Sequence, residues 1–165
     1  MEDWNIHIET LREYAIEHTK LGIYSIHGID HWDRVADKAE SLMNKDVDML
    51  VVKAFAYIHD VEREDEDEDP YHGLRAARLV DKIRSTVLRF LNDKQIEQLK
   101  IACKLHTSKW KTEDATVNAC FDADRLDLGR VGITPDPDKM ATSEGQIIAK
   151  KLALGNPIDI LARKF

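Results

Sequence analysis

The 165 residues amount to about one domain, and 43% hydrophobic with 33% charged side chains marks a globular chain rather than a disordered one. The formal charge of −7 comes from 24 Lys and Arg against 31 Asp and Glu, but residues 62–69 (EREDEDED) alone hold seven acids and one Arg. Outside that run 24 acids face 23 bases, which excludes a broad basic surface for coating nucleic acid and leaves open a small anionic substrate in a local pocket. The first twenty residues carry Glu2, Asp3, Glu9, Arg12, Glu13, Glu17 and Lys20, so no signal-peptide apolar core is expected there. The most apolar stretch, residues 47–58, is interrupted by Asp48 and Lys53 and is too short to span a bilayer, so no membrane association is expected. Cys103 and Cys120 form no CxxC pair and read as buried free thiols, which fits a reduced, cytoplasmic setting.

Sparse Gly and Pro, no period-two runs and recurrent helical periodicity predict an all-α single domain over residues 1–165. Residues 4–20 form an amphipathic helix with Ile8, Leu11, Tyr14, Ala15 and His18 on one side. A second helix starts at Gly28 or Ile29 and runs to about residue 44, with Trp32, Val35, Ala36, Ala39, Leu42 and Met43 at helical spacing. Asp46 is the expected N-cap of a third, residues 47–61, which is apolar on nearly every side and therefore the buried central helix. After the acidic run, Pro70 opens a helix over residues 71–91. Asp93 is expected to cap residues 94–106, and Thr112 a helix over residues 113–128. Residues 129–138 form a loop, and a final helix over residues 141–154 is stopped by Gly155, Asn156 and Pro157. That makes about seven helices.

A buried helix should not end in His59-Asp60 unless something satisfies the pair, because an unpaired buried carboxylate costs several kcal/mol. A metal ion would do so, imidazole nitrogen and carboxylate oxygen being normal ligands. The plainer alternative is a polar helix end with His59 hydrogen-bonded to backbone. His27 and His31 are four residues apart, but Gly28 follows His27 where the zinc-protease HExxH motif needs its Glu. Gly28 also suggests that the helix begins after His27, which makes His31 the better ligand. His27 is then an outer contact, a substrate contact or a turn residue.

The order His31, His59-Asp60 and then Asp124 in DADRLD, all on helices, resembles the HD-domain superfamily of metal-dependent phosphohydrolases. His72 in YHGLRAA and His106 in KLHTS resemble the extra ligands of the subset that holds two metals. The matching part spans about residues 27–130. The resemblance implies an HD-type helical domain in which His31, His59, Asp60 and Asp124 ligate one metal. Asp60 would bridge to a second metal held by His72 and His106. It selects Asp124 over Asp122 and Asp127 because the family's last Asp precedes a basic residue, here Arg125. It implies one or two divalent ions (Mn, Fe, Ni, Co, Mg or Zn) and hydrolysis of a phosphomonoester or phosphodiester in a small molecule, a nucleotide being the expected partner. A di-iron oxygenase, a non-catalytic nucleotide sensor and a purely structural metal site are the rival readings. The oligomeric state is left open.

The chemistry fits those residues. Phosphoester hydrolysis needs a hydroxide at neutral pH and charge stabilisation at the phosphoryl oxygens, both within reach of divalent ions. With one metal only, His72 or His106 becomes the candidate general acid. Asp30 and Asp122 are candidate outer acceptors for the ligand imidazoles by nearness in sequence. Arg34, one turn after His31, is the leading candidate to contact phosphate, ahead of Lys104, Lys109, Lys111 and Arg125. Trp32 fits the apolar core, and Trp110 could stack a base. The acidic run starts two residues after Asp60 and ends three before His72, so it must border the site as a lid, a funnel for cations, or a solvated loop.

Overall fold

A computed structural model describes residues 3–155. These form seven α-helices: α1 (Trp4–His18), α2 (Ile29–Ser41), α3 (Met49–Ile58), α4 (His72–Ile83), α5 (Asp93–Leu105), α6 (Ala115–Arg125) and α7 (Ser143–Gly155). Short 3-10 turns at Leu128–Val131 and Pro137–Lys139 lie between the last two, and there is no strand among the described residues. No helix among them is long and apolar enough to cross a membrane.

The single-domain all-α expectation holds for this region, and α3 sits at its centre. Val51, Val52 and every residue from Ala54 to Ile58 are buried. A helix with apolar side chains around its whole circumference can satisfy them only by being surrounded. Accordingly α1, α2, α5 and α6 all pack on α3, while α4 pairs with α5, and α7 packs on the Pro137–Lys139 turn and α6. Trp32, Phe55, Phe121, Leu11, Leu42, Ile96 and Leu99 fill the space between them without exposure. Cys103 and Cys120 lie in this core as free thiols, and burial pushes both thiol pKa values up.

Most boundaries shift inward, for local reasons. The cap of α3 is Asp48, whose carboxylate accepts from Leu50 N, not Asp46. Asn92 rather than Asp93 caps α5, through a capping box in which Asn92 and Gln95 each accept from the other's backbone N–H. Asp114 rather than Thr112 caps α6, while the Thr112 hydroxyl accepts from Asp114 N and so holds the cap in place. The expected helix over residues 71–91 stops at Ile83: Ser85, Thr86 and Val87 are poor helix formers, and the Thr86 hydroxyl donates to the Ile83 carbonyl. α7 begins at Ser143 because Thr142 precedes it as a cap, its hydroxyl accepting from Gly145 N, while Asp122 holds the N–H groups of Ala141 and Thr142. Asn156 and Pro157 lie outside the described residues.

Candidate metal centre

Five helix ends meet at one place. His59 follows the last residue of α3 and keeps helical angles, and a turn then carries the chain through Asp60 to Arg63, whose N–H donates to the Asp60 carbonyl at 3.1 Å. His31 lies in the first turn of α2, His72 opens α4, His106 caps the end of α5, and Asp124 is in the last turn of α6. The close approach of α4 to α5 depends on Gly73: a Cβ there would stand 2.4 Å from the Cys103 carbonyl oxygen. His72 can therefore bring its Nε2 to 3.0 Å from that of His106.

The carboxylate of Asp60 divides these donors into two groups. Its Oδ2 faces His31 Nε2 at 3.6 Å and His59 Nε2 at 3.4 Å. Asp124 Oδ1 completes that group, 3.3 Å from His31 Nε2 and 3.7 Å from His59 Nε2. The other oxygen, Asp60 Oδ1, faces His72 Nε2 at 3.2 Å and His106 Nε2 at 3.8 Å. His31, His59 and Asp124, and likewise His59, Asp60 and His106, lie close enough to hold a metal ion. All six sequence candidates for ligation are thus brought together.

In each imidazole the far nitrogen is already engaged. His31 Nδ1 meets Asp127 Oδ2 at 2.7 Å, and His59 Nδ1 meets the carbonyls of Phe55 and Ala56, both at 3.1 Å. His72 Nδ1 meets the Asp69 carbonyl at 2.5 Å, and His106 Nδ1 the Cys103 carbonyl at 2.7 Å. Carbonyl and carboxylate oxygens only accept, so every Nδ1 carries a hydrogen, and in a neutral ring Nε2 keeps its lone pair. Four lone pairs and two carboxylates converging in a buried space suit a cation. Asp124 Oδ1 is itself buried without a hydrogen-bond partner, which makes it a donor atom in want of an ion. Burial opposes charge on His59, but Asp60 and Asp124 outweigh it and push its pKa up to about 10. Burial likewise opposes ionisation of Asp60 and Asp124, yet the histidines around them hold both well below the usual carboxylate range.

The outer acceptors differ from the sequence expectation. Asp30 is exposed, and Asp122 accepts from Ala141 N, Thr142 N and the Thr142 hydroxyl, far from any ligand. Asp122 is two residues before Asp124, about 200° away around the helix, and so faces α7 instead. The carboxylate behind His31 belongs to Asp127, which also accepts from Arg34 Nε at 2.7 Å. Arg125 also points away: it donates to the carbonyls of Lys109, Trp110 and Lys139. Lys104, Lys109, Lys111 and Trp110 are exposed, and Trp32 is fully buried in the core.

Of the three roles open to His27, the structure shows the outer contact: it meets Asp60 Oδ2 through Nδ1 and the Glu66 carbonyl through Nε2, both at 3.0 Å, and so ties the acidic run to the centre. Two further residues, Arg63 and Arg130, stand at the site without having been candidates in the sequence. Arg63, the one cation of that run, is buried, donates to the carbonyls of Asp65 and Asp67, and places Nη1 3.3 Å from His72 Nδ1. Its signal was there to be read, as a lone base among seven acids. The loop is held further by Lys20 on Glu62 and Glu64 and by Arg75 on Asp69, so it is a fastened rim. Arg130, six residues after Asp124, is the other, with Nη2 3.7 Å from Asp124 Oδ1. A cavity of about 780 Å³ opens beside His31, with Arg34, Asp127 and Arg130 in its wall.

No protein-family model matches the chain, and neither does any curated protein or solved structure.

Proposed function

We propose that the protein is a metal-dependent hydrolase of the HD type that cleaves a phosphomonoester or phosphodiester bond in a small molecule, most simply a nucleotide. The observation that carries this reading is the division of labour at Asp60, whose two oxygens address two separate sets of imidazole Nε2 atoms. The order of those ligands along the chain, with its resemblance to the HD superfamily, supports it. His31, His59, Asp60 and Asp124 would hold one divalent ion, and His72, His106 and Asp60 a second. Such ions lower the pKa of a bound water from about 15.7 towards 7 and stabilise charge on attacking and leaving oxygens.

The chain's own groups do the rest. Asp127 and the backbone carbonyls hold the rings so that each Nε2 faces inward. Asp60, adjacent to both sets, orients the attacking water. The water gives up one proton as its oxygen bonds to phosphorus, the ester P–O bond breaks, and the leaving oxygen takes up one proton, so that water is added across the bond. If the second set holds no ion, His72 or His106 protonated on Nε2 as well as Nδ1 would supply that proton and take one back from the attacking water.

A donor set of nitrogen and oxygen with a shared carboxylate also suits two irons, and an oxygenase is the second reading. Elemental analysis of protein purified without added metal, followed by hydrolysis of a panel of phosphomonoesters and phosphodiesters with Mn, Co or Ni, read as release of the alcohol product, separates the two. One or two equivalents of metal and metal-dependent release of the alcohol are expected. Iron with an oxygen-dependent optical change and no hydrolysis of any ester would favour oxidation. Full metal content in His59→Ala would remove the site assignment altogether.

A further inference from the structure

The cationic side chain best placed for an anion is not the one that helical spacing suggests. Arg34 is 45% exposed, and its Nε is committed to Asp127. Arg130 is only 10% exposed, lies on the 3-10 turn that follows α6, and lines the same cavity. Its Nη1 donates to the Asp127 carbonyl at 3.0 Å and its Nη2 stands 3.7 Å from Asp124 Oδ1. Its Nε is buried with no hydrogen-bond partner. A buried guanidinium donor left unsatisfied costs about 1–3 kcal/mol or more, so such a group beside a cavity marks a place where an acceptor binds.

The cavity itself describes that acceptor. At about 780 Å³ it lies within the roughly 300–1,000 Å³ range of small-molecule sites. Ile26, Leu126, Ile133, Pro135 and Leu152 give much of it an apolar wall, with the exposed ring of Tyr24 at its edge. The charges on it are Asp30 and Asp127 against Arg34 and Arg130, so the chain supplies no surplus of positive charge there. The nearby acidic rim adds only repulsion for a polyanion.

We propose that Arg130 grips the phosphoryl group of the substrate, and that the cavity beside it receives the organic part of a molecule bearing a single phosphoryl group rather than a polyphosphate chain. This rests on the hydrolase reading and narrows its substrate. Nη2 and the free Nε present two donors on one edge of the guanidinium, the geometry that pairs with two phosphoryl oxygens.

The test uses the full chain loaded with Mn. Arg130→Ala should keep the wild-type Mn content, weaken binding of inorganic phosphate in calorimetry by about 10- to 100-fold, and raise KM for adenosine 5′-monophosphate to match. Arg130→Lys, which keeps the charge but loses the paired donors, should recover part of the loss, and Arg34→Ala should weaken phosphate binding less than Arg130→Ala does. Adenosine monophosphate should bind at least as tightly as the di- and triphosphates. Unchanged phosphate affinity in Arg130→Ala overturns the assignment, as does loss of Mn in step with affinity, which would make Arg130 a support for Asp124. A triphosphate more than tenfold tighter than the monophosphate overturns the single-phosphoryl assignment. If Arg130→Ala does not fold, Arg130→Lys decides: wild-type affinity overturns the proposal, and a loss of fivefold or more supports it. A loaded wild-type protein that neither binds phosphate nor hydrolyses any phosphomonoester or phosphodiester removes the hydrolase reading, and this proposal with it.

Discussion

The donor group around His31 and His59 holds two carboxylates, Asp60 and Asp124, whereas the group around His72 and His106 has only its share of Asp60. The supports behind the rings differ in the same sense. One ring of the first group rests on a carboxylate, Asp127, while both rings of the second rest on backbone carbonyls. A guanidinium, Arg63, also stands against His72. Two negative charges against one, and a cation beside the weaker group, mean that like geometry does not give like affinity. The first group is built to retain a divalent ion. On the proposed function, the second would hold one on looser terms, free to exchange it or to act through its imidazoles.

Removing the shared ligand tests that contrast most severely. Asp60→Ala should empty both groups and lower phosphate release by about 10³-fold or more, roughly 4 kcal/mol of lost transition-state stabilisation. His106→Ala should instead lose one equivalent of metal and keep the other, as read by elemental analysis. If His106→Ala empties both groups, or Asp60→Ala keeps one filled, the two-group description fails. In the intact protein, titration with Mn should show a tight first step and a weaker second one.

Asp127→Asn is the next largest. It should lower affinity for the first ion by about 10- to 100-fold, the usual cost of losing the acceptor behind a metal-bound imidazole, and leave the second step of the titration in place. The variant also tests Arg34, which would lose its carboxylate partner. Equal weakening of both steps would mean that the two groups do not act separately.

The contrast between the groups also explains what the sequence could and could not reveal. The candidate ligands were legible because their chemistry is conspicuous: a His-Asp pair at the end of an apolar helix, and further histidines where helices begin or end. The helices were legible for the same reason, since α3 is apolar all round and must be central. Caps were misplaced by one or two residues because Asp46 and Asp48, or Asp93 and Asn92, offer similar oxygens, and only backbone direction chooses between them. The supports were illegible because they come from across the fold: Asp127 reaches back to His31 from 96 residues away. Arg34 and Arg125 both stood near candidate ligands in sequence, yet Arg125 is turned away and Arg34 has its Nε on Asp127, while Arg130 reaches the site through a turn that follows α6.

Protons sharpen the comparison further. With no ion bound, the raised pKa of about 10 puts a proton on His59, between Asp60 and Asp124, where an ion would sit. An ion entering the first group must displace it, so below pH 10 the affinity of the tight step should rise roughly tenfold per pH unit. The same shift sets a stability trend in the metal-free protein. His59 binds its proton more tightly folded than unfolded, so its contribution is complete below its ordinary value of 6.5 and is lost as pH rises to about 10. Asp60 and Asp124, held low, contribute above their ordinary value of 3.8 and lose that contribution as pH falls through their lowered values. The Tm of metal-free protein should therefore fall between pH 6.5 and 10, and His59→Gln should flatten that decline. A decline of the same steepness in His59→Gln would place its cause elsewhere.

The smallest effect concerns the rim beside the second group. Seven acids look like one feature in the sequence, but they divide once folded. Asp69 accepts from Arg75 and from Glu64 N, and Asp65 accepts from Asp67 N, so those two shape the loop. Glu66, Asp67 and Glu68 are exposed, and the contacts from this stretch to His27 and Arg63 are made by the carbonyls of Glu66 and Asp67. Glu66→Gln, Asp67→Asn and Glu68→Gln together should therefore remove three negative charges while keeping the fastened shape. An anionic substrate is repelled by those charges, so KM should fall about two- to fivefold at low salt with kcat unchanged. At 1 M salt, where screening shortens to about 3 Å, the difference should vanish. A KM that does not move at low salt would leave the rim with a purely structural role. A fall that persists in 1 M salt would mean that the substitutions changed the shape of the loop around Arg63 and His72 rather than its field.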